Sequence, residues 1–197
     1  MPQGIDNDDV CNSLVQDLQY RTLVWLTYRL AATFAVGLPL LLIVWATLQR
    51  QTAIVRLLSI YWKVASLLGI SMLLLTDQRP LGFLTLALAP ILMVFSVWFW
   101  VDLNEELADL PSTKALPLTV RVWRWALTAL SVLALTLTFQ SLPCFRVSAL
   151  KDCQAWIEAP KGLHLVFERV FAFLFGGQWT EPVAAFMGYL ALLAYAV

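Results

Sequence analysis

Acidic residues are missing from the interior of every long apolar stretch in this chain: none falls within residues 30–48, 57–76, 81–101 or 125–145. A proton-coupled or cation transporter is expected to carry a carboxylate at that depth. The sequence also lacks a phosphate-cradling Walker loop, an HExxH zinc helix and a GxSxG nucleophile elbow. It has no pair of broken helices in corresponding halves, as transporters commonly show, and no internal repeat or low-complexity segment. Net charge is absent too. Thirteen basic residues balance thirteen acidic ones, so neither nucleic acid nor a strongly anionic surface is the implied partner. The first residues, MPQGIDNDDV, are acidic where a signal peptide is basic. No small-residue cleavage site follows the first apolar run, so the first span is expected to stay as an anchor.

What the chain has in abundance is apolar surface. Hydrophobic residues make up 60% of it and its mean hydropathy is +0.76, against the ~45–50% apolar usage of soluble domains. At about 1.5 Å of rise per residue, some 20 apolar residues match a ~30 Å hydrocarbon layer. The expected fold is therefore an all-α integral membrane protein with about five transmembrane helices and one amphipathic extramembrane helix. Residues 1–22 read as an acidic amphipathic segment and 23–197 as the membrane domain, with spans near 30–48, 57–76, 81–101, 125–145 and 182–197. Val10, Leu14, Leu18 and Leu23 share one side of the entering helix, with Asp9, Asp17 and Arg21 off it. Asp77-Gln78-Arg79-Pro80 makes a tight helical hairpin, and Pro90 should kink the third span. That span is expected to continue beyond the membrane as an amphipathic helix up to Pro111. Residues 163–175, interrupted by His164, Glu168 and Arg169, are too short and too polar for a clear crossing.

Several residues could carry function. Asp102, Glu105, Glu106 and Asp109 recur at helical spacing opposite Leu103, Leu107 and Leu110. Such a stripe can dock a partner or meet Arg56 and Lys63, which lie seven residues apart on one helix face; its plain alternative is a solvated face. Lys63 sits about 9 Å inside span two, where it snorkels or finds a carboxylate. His164 has Glu168 one turn away, an arrangement that can ligate a metal, a chlorophyll or a haem, although a single histidine serves more often as a helix-surface hydrogen-bonder. Ala65 and Gly69, and Ala184 and Gly188, follow the small-xxx-small spacing of close helix contacts. Trp25, Trp45, Trp62, Trp98, Trp100, Trp123 and Trp125 fall near span ends, where indole rings anchor at the headgroups. An Arg/Trp collar at Arg121, Trp123 and Arg124 opens span four. No cofactor is specified, but these rings and His164 suit chlorophyll, carotenoid or lipid contacts.

Orientation follows from charge. The loop bearing Arg50 and Arg56 has no acid, which holds it on the cytoplasmic side together with residues 102–124. The N-terminus and the loop with Cys144 and Cys153 then face the lumen, and the C-terminus the cytoplasm. Cys144 and Cys153 are candidates for a disulfide, with two free thiols the alternative; closing that short loop would stabilise it by roughly 2–3 kcal/mol in the chain-entropy model. Cys11 is left over.

The run LPLTVRVWRW at Leu116–Trp125, preceded by DLNEELADLP, resembles a family of small multi-pass membrane proteins of cyanobacteria. The resemblance implies a thylakoid or plasma membrane, the thylakoid above all, and a link to photosynthetic complexes; it carries over no functional residue. The expected role is a non-enzymatic accessory subunit or assembly factor, in contact with lipid and with other membrane subunits of a photosynthetic complex. The alternative is an oligomeric small-solute transporter or channel.

Overall fold

The computed structural model describes residues 7–109, 114–140, 142–145 and 151–196; the side chains of residues 7–17, 102, 140, 142, 145, 151, 152 and 175 lie outside that description, and outside it fall the expectations for Val10, Leu14, Asp9, Asp17, Cys11, Leu110 and Pro111. All regular structure among the described residues is helical. Four helices are long and apolar enough to cross a membrane, Leu18–Leu48, Thr52–Thr76, Pro80–Trp98 and Ala115–Phe139, and Glu181–Ala196 is a shorter apolar helix. The fifth expected span is that shorter piece.

The first crossing is one continuous helical run with a defect in it. Helix α1 (Asn7–Leu30) passes through a π-helical segment (Ala31–Gly37) into α2 (Leu38–Leu48), with no break at residues 22–23. Pro39 explains the defect. A proline in helical register lacks its N–H and its ring collides with the carbonyl four residues earlier, here Ala35. Widening the turn relieves the collision, and the Leu38 N–H reaches back to Thr33. The loosened carbonyls are served from neighbouring helices: Tyr61 Oη donates to Ala35 O at 2.6 Å and Trp123 Nε1 to Phe34 O at 2.9 Å. Helices in lipid must satisfy such groups internally.

Helix α3 (Thr52–Thr76) is the centre of the bundle. It follows a three-residue turn in which Arg50 takes φ 54°. At its far end Asp77–Arg79 reverses the chain, with Gln78 at φ 54°, an Arg79–Asp77 ion pair at 2.8 Å and Pro80 opening α4 (Pro80–Trp98). The antiparallel hairpin is tight because Gly82 meets Leu75 so closely that a Cβ would lie 3.0 Å from its backbone nitrogen. Ser71 and Thr85 hydroxyls join the two helices at 3.0 Å. Helix α4 runs unbroken through the buried Pro90.

The expected extension of the third span does not occur. The helix ends at Trp98, Trp100 is extended (ψ 94°), and α5 (Val101–Ala108) is a separate piece. It is amphipathic as expected: Leu103 and Leu107 are buried, while Glu105, Glu106 and Asp109 are exposed. Helix α6 (Ala115–Gln140) starts ten residues before the expected span, since Pro117 is tolerated in a first turn. Of the Arg/Trp collar only Arg121 is exposed. Trp123 is 1% exposed and Arg124 8%, so both are sunk in the bundle; Trp123 packs edge-on to Tyr61 at 5.0 Å.

A short 3-10 turn (Leu142–Phe145) leads to the Cys144–Cys153 disulfide. Residues 151–162, expected to be loop, instead open a 25-residue helix, α7 (Lys151–Phe175), with Pro160 inside it. Pro160 deprives the Trp156 carbonyl of its helical donor, and Tyr28 Oη supplies one at 2.9 Å. Helix α7 docks on α1 through polar contacts: Glu158 accepts from Arg21 Nε and Nη2 and from Trp25 Nε1, and Trp156 Nε1 donates to Tyr20 Oη. Gly176, at φ 65°, ends that run. Helix α8 (Glu181–Ala196) then returns antiparallel to α3, Gly188 against Leu73 and Leu74, and Tyr195 near Lys63. The Ala184/Gly188 pair is thus a packing face, and its neighbour is this chain's own α3. Gly69 is not; a Cβ there would meet nothing within 4 Å.

Candidate functional site

Because Gly69 supports no contact, space opens beside it. An apolar chamber of about 270 Å³ lies between the π segment, α3, α4 and α6, bounded by Ala35, Gly69, Pro90 and Ala134 and roofed by Trp156 and Leu163 of α7. An adjoining cleft of about 550 Å³ shares Gly69, Met72 and Leu163 and runs beneath α7 past His164 and Phe171 to Trp179. Among the described residues, two polar atoms on these walls have no partner. Ser131 is 2% exposed and its hydroxyl makes no hydrogen bond, although most helical serines and threonines here bond back to a preceding carbonyl. His164 is 9% exposed and its Nδ1 is buried without an acceptor or donor.

The expected His164–Glu168 pairing is not formed: both lie on α7, but His164 faces α3 and no hydrogen bond joins them. Among the described residues no group of three histidine, cysteine or carboxylate side chains could hold a metal. An imidazole whose buried Nδ1 has no partner and which borders apolar walls suits contact with a lipophilic molecule better than a metal, whose histidine ligands are usually oriented by a hydrogen-bond acceptor behind them.

The acidic stripe occupies the opposite end of the bundle, with the Arg50 turn. Leu103 and Leu107 fasten α5 to α3, leaving Glu105, Glu106 and Asp109 at the surface. Arg56 and Lys63 are both exposed, and among the described residues neither makes an ion pair with the stripe; the pairs formed are Arg21–Glu158 and Arg79–Asp77. Asp102 belongs to α5 by its backbone.

At that same end the structure gives a collar residue, Arg124, partners that the sequence did not mark. Arg124 Nη2 donates to the Val97 carbonyl at 2.9 Å and to Asn104 Oδ1, and its guanidinium carbon stands 4.2 Å from the Trp98 ring centre. Asn104 Nδ2 in turn donates to Trp98 O at 2.8 Å. The break between α4 and α5 makes this cluster, folding Asn104 back over the last carbonyls of α4, which have no partner in their own helix. The signal available in the sequence was an arginine between two tryptophans, one turn after Arg121.

The family described as protein of unknown function (DUF3177) matches residues 21–197. No curated protein and no solved structure matches the chain.

Proposed function

We propose, for a chain that belongs to the DUF3177 family, an integral membrane role without catalysis: an accessory subunit or assembly factor that binds a larger membrane complex. The observation that carries this reading is α5, whose apolar side is sunk in the bundle while Glu105, Glu106 and Asp109 stand exposed and unpaired among the described residues. A rigidly mounted acidic edge is suited to a basic surface on a partner, with charge setting encounter and register. In this reading α5 and the Arg50 turn face the cytoplasm, and the disulfide faces an oxidising lumen. The α8 helix forms a fifth, short crossing, with α7 lying along the lumenal surface, its Phe173 88% exposed. The photosynthetic partner and the thylakoid location rest on the resemblance of the Asp102–Trp125 segment alone.

Native gels of the tagged protein in mild detergent test the role. Co-migration with partner chains, lost in a Glu105→Lys, Glu106→Lys, Asp109→Lys variant that keeps its helical spectrum, is the expected result. Migration only as a free 22.2 kDa species would end the proposal. A second reading, the holding of a pigment or other lipophile, is favoured by the chamber under α7 with His164 and Ser131 on its walls. An absorption spectrum and a solvent extract of the purified protein separate the two readings.

A further inference from the structure

Among the described residues Arg124 is a buried cation without a counter-ion. It is 8% exposed on a spanning helix, its Nε finds no acceptor, and among the described residues no carboxylate pairs with it. Arg121, one turn earlier on α6 and exposed, adds a second positive charge instead of a negative one. Partial compensation comes from the carbonyl end of α4 and from the face of Trp98, but neither is a full charge. Leaving a guanidinium uncompensated inside a protein is costly, and an unpaired ionisable group on a spanning helix is by default a functional residue.

The two arginines border one cavity. It measures about 300 Å³ and is lined by Trp98, Asn104, Pro117, Arg121, Arg124 and Trp125, the lower end of the size range of small-ligand sites. Trp98 and Trp125 stand edge to face at 5.1 Å, and Trp98 Nε1 is held by Thr128 Oγ1 at 2.9 Å. The guanidinium plane is thereby fixed from one side by an aromatic ring and from its tip by Val97 and Asn104. A planar, preorganised guanidinium with donors left over is suited to a phosphate oxygen pair.

We infer that this cavity binds the phosphate of an anionic lipid headgroup at the membrane surface next to α5. Trp125, Val122, Phe99 and Trp100 beside it are exposed and apolar, the environment in which the acyl chains of such a lipid lie. The site is independent of the docking role of α5, since Glu105, Glu106 and Asp109 are exposed and, among the described residues, engaged with neither arginine. The competing role for Arg124 is to cap α4 and nothing more, and Arg121 tells them apart because it takes no part in that cap.

The test uses the full chain in a neutral detergent, with phosphatidylglycerol, phosphatidylcholine and inorganic phosphate as separate additions, read by native mass spectrometry and by the unfolding midpoint. Phosphatidylglycerol is expected to stay bound and raise the midpoint, and phosphatidylcholine to do neither. Arg121→Gln should weaken phosphatidylglycerol binding by about tenfold, the loss of one charge-assisted contact, with the lipid-free midpoint unchanged. Arg124→Gln should abolish binding and also lower the lipid-free midpoint. Inorganic phosphate alone reproducing the shift would uphold the oxyanion site and overturn the lipid as its ligand. Equal retention of the two lipids, or wild-type binding by Arg121→Gln, would overturn the site and leave Arg124 as a cap.

Discussion

Two tyrosines complete what two prolines take away. Pro39 and Pro160 each leave a carbonyl four residues earlier short of a donor, and Tyr61 and Tyr28 reach across from other helices to Ala35 and Trp156. A buried acceptor stripped of its donor costs about 1–3 kcal/mol. Tyr61→Phe, which keeps the ring against Trp123 and removes only the hydroxyl, is therefore expected to lower unfolding stability by about that amount, measured by circular dichroism in detergent. A stability equal to that of the wild type would mean that the π turn satisfies Ala35 by itself. Pro160 lies in what the sequence alone suggests is a polar loop after Cys144. A proline inside a helix is tolerated when a distant side chain serves the freed carbonyl, and nothing local in the sequence announces Tyr28.

Helix contacts here are decided glycine by glycine. Gly82 sits where a Cβ would press on the backbone nitrogen of Leu75, whereas Gly69 faces the open chamber. Gly82→Ala should cost about 1–3 kcal/mol through overpacking, and Gly69→Ala should change stability by less than about 0.5 kcal/mol, as surface-like substitutions do; comparing their unfolding midpoints checks both. Gly69→Leu should fill the chamber and displace any lipophile that co-purifies, seen as its loss from the solvent extract. The small-residue spacing in α3 and α8 was legible as a motif. Which of the two lay against a helix was not, since an identical pattern borders a contact at Gly188 and a void at Gly69.

For the molecule as a whole, the two ends of the bundle differ in chemistry. One carries the disulfide, Arg21–Glu158 and α7; the other carries the Arg50 turn, α5 and the Arg124 pocket. With the natural cysteines replaced, Gln51→Cys and Ser112→Cys are expected to resist a membrane-impermeant thiol reagent applied from the lumenal face; labelling of either without permeabilisation would invert the proposed orientation. Replacing Cys144 and Cys153 by serine should lower stability by about 2–3 kcal/mol, the entropy of the closed loop, and free the start of α7 to proteolysis. The sequence by itself determined that this chain is helical and has segments long and apolar enough to cross a bilayer, because length and apolarity of a segment are local properties that need no reference to neighbours. It also determined the hairpin at Asp77–Pro80 and the amphipathic character of α5. Only the tertiary structure decided that Trp123 and Arg124 are buried against neighbouring helices, that α5 turns away from α4, and that α7 is one helix roofing a chamber. Each of those outcomes depends on a partner far along the chain, Phe34, Val97, Asn104 or Tyr28, and burial of a polar group is settled by whether such a partner arrives.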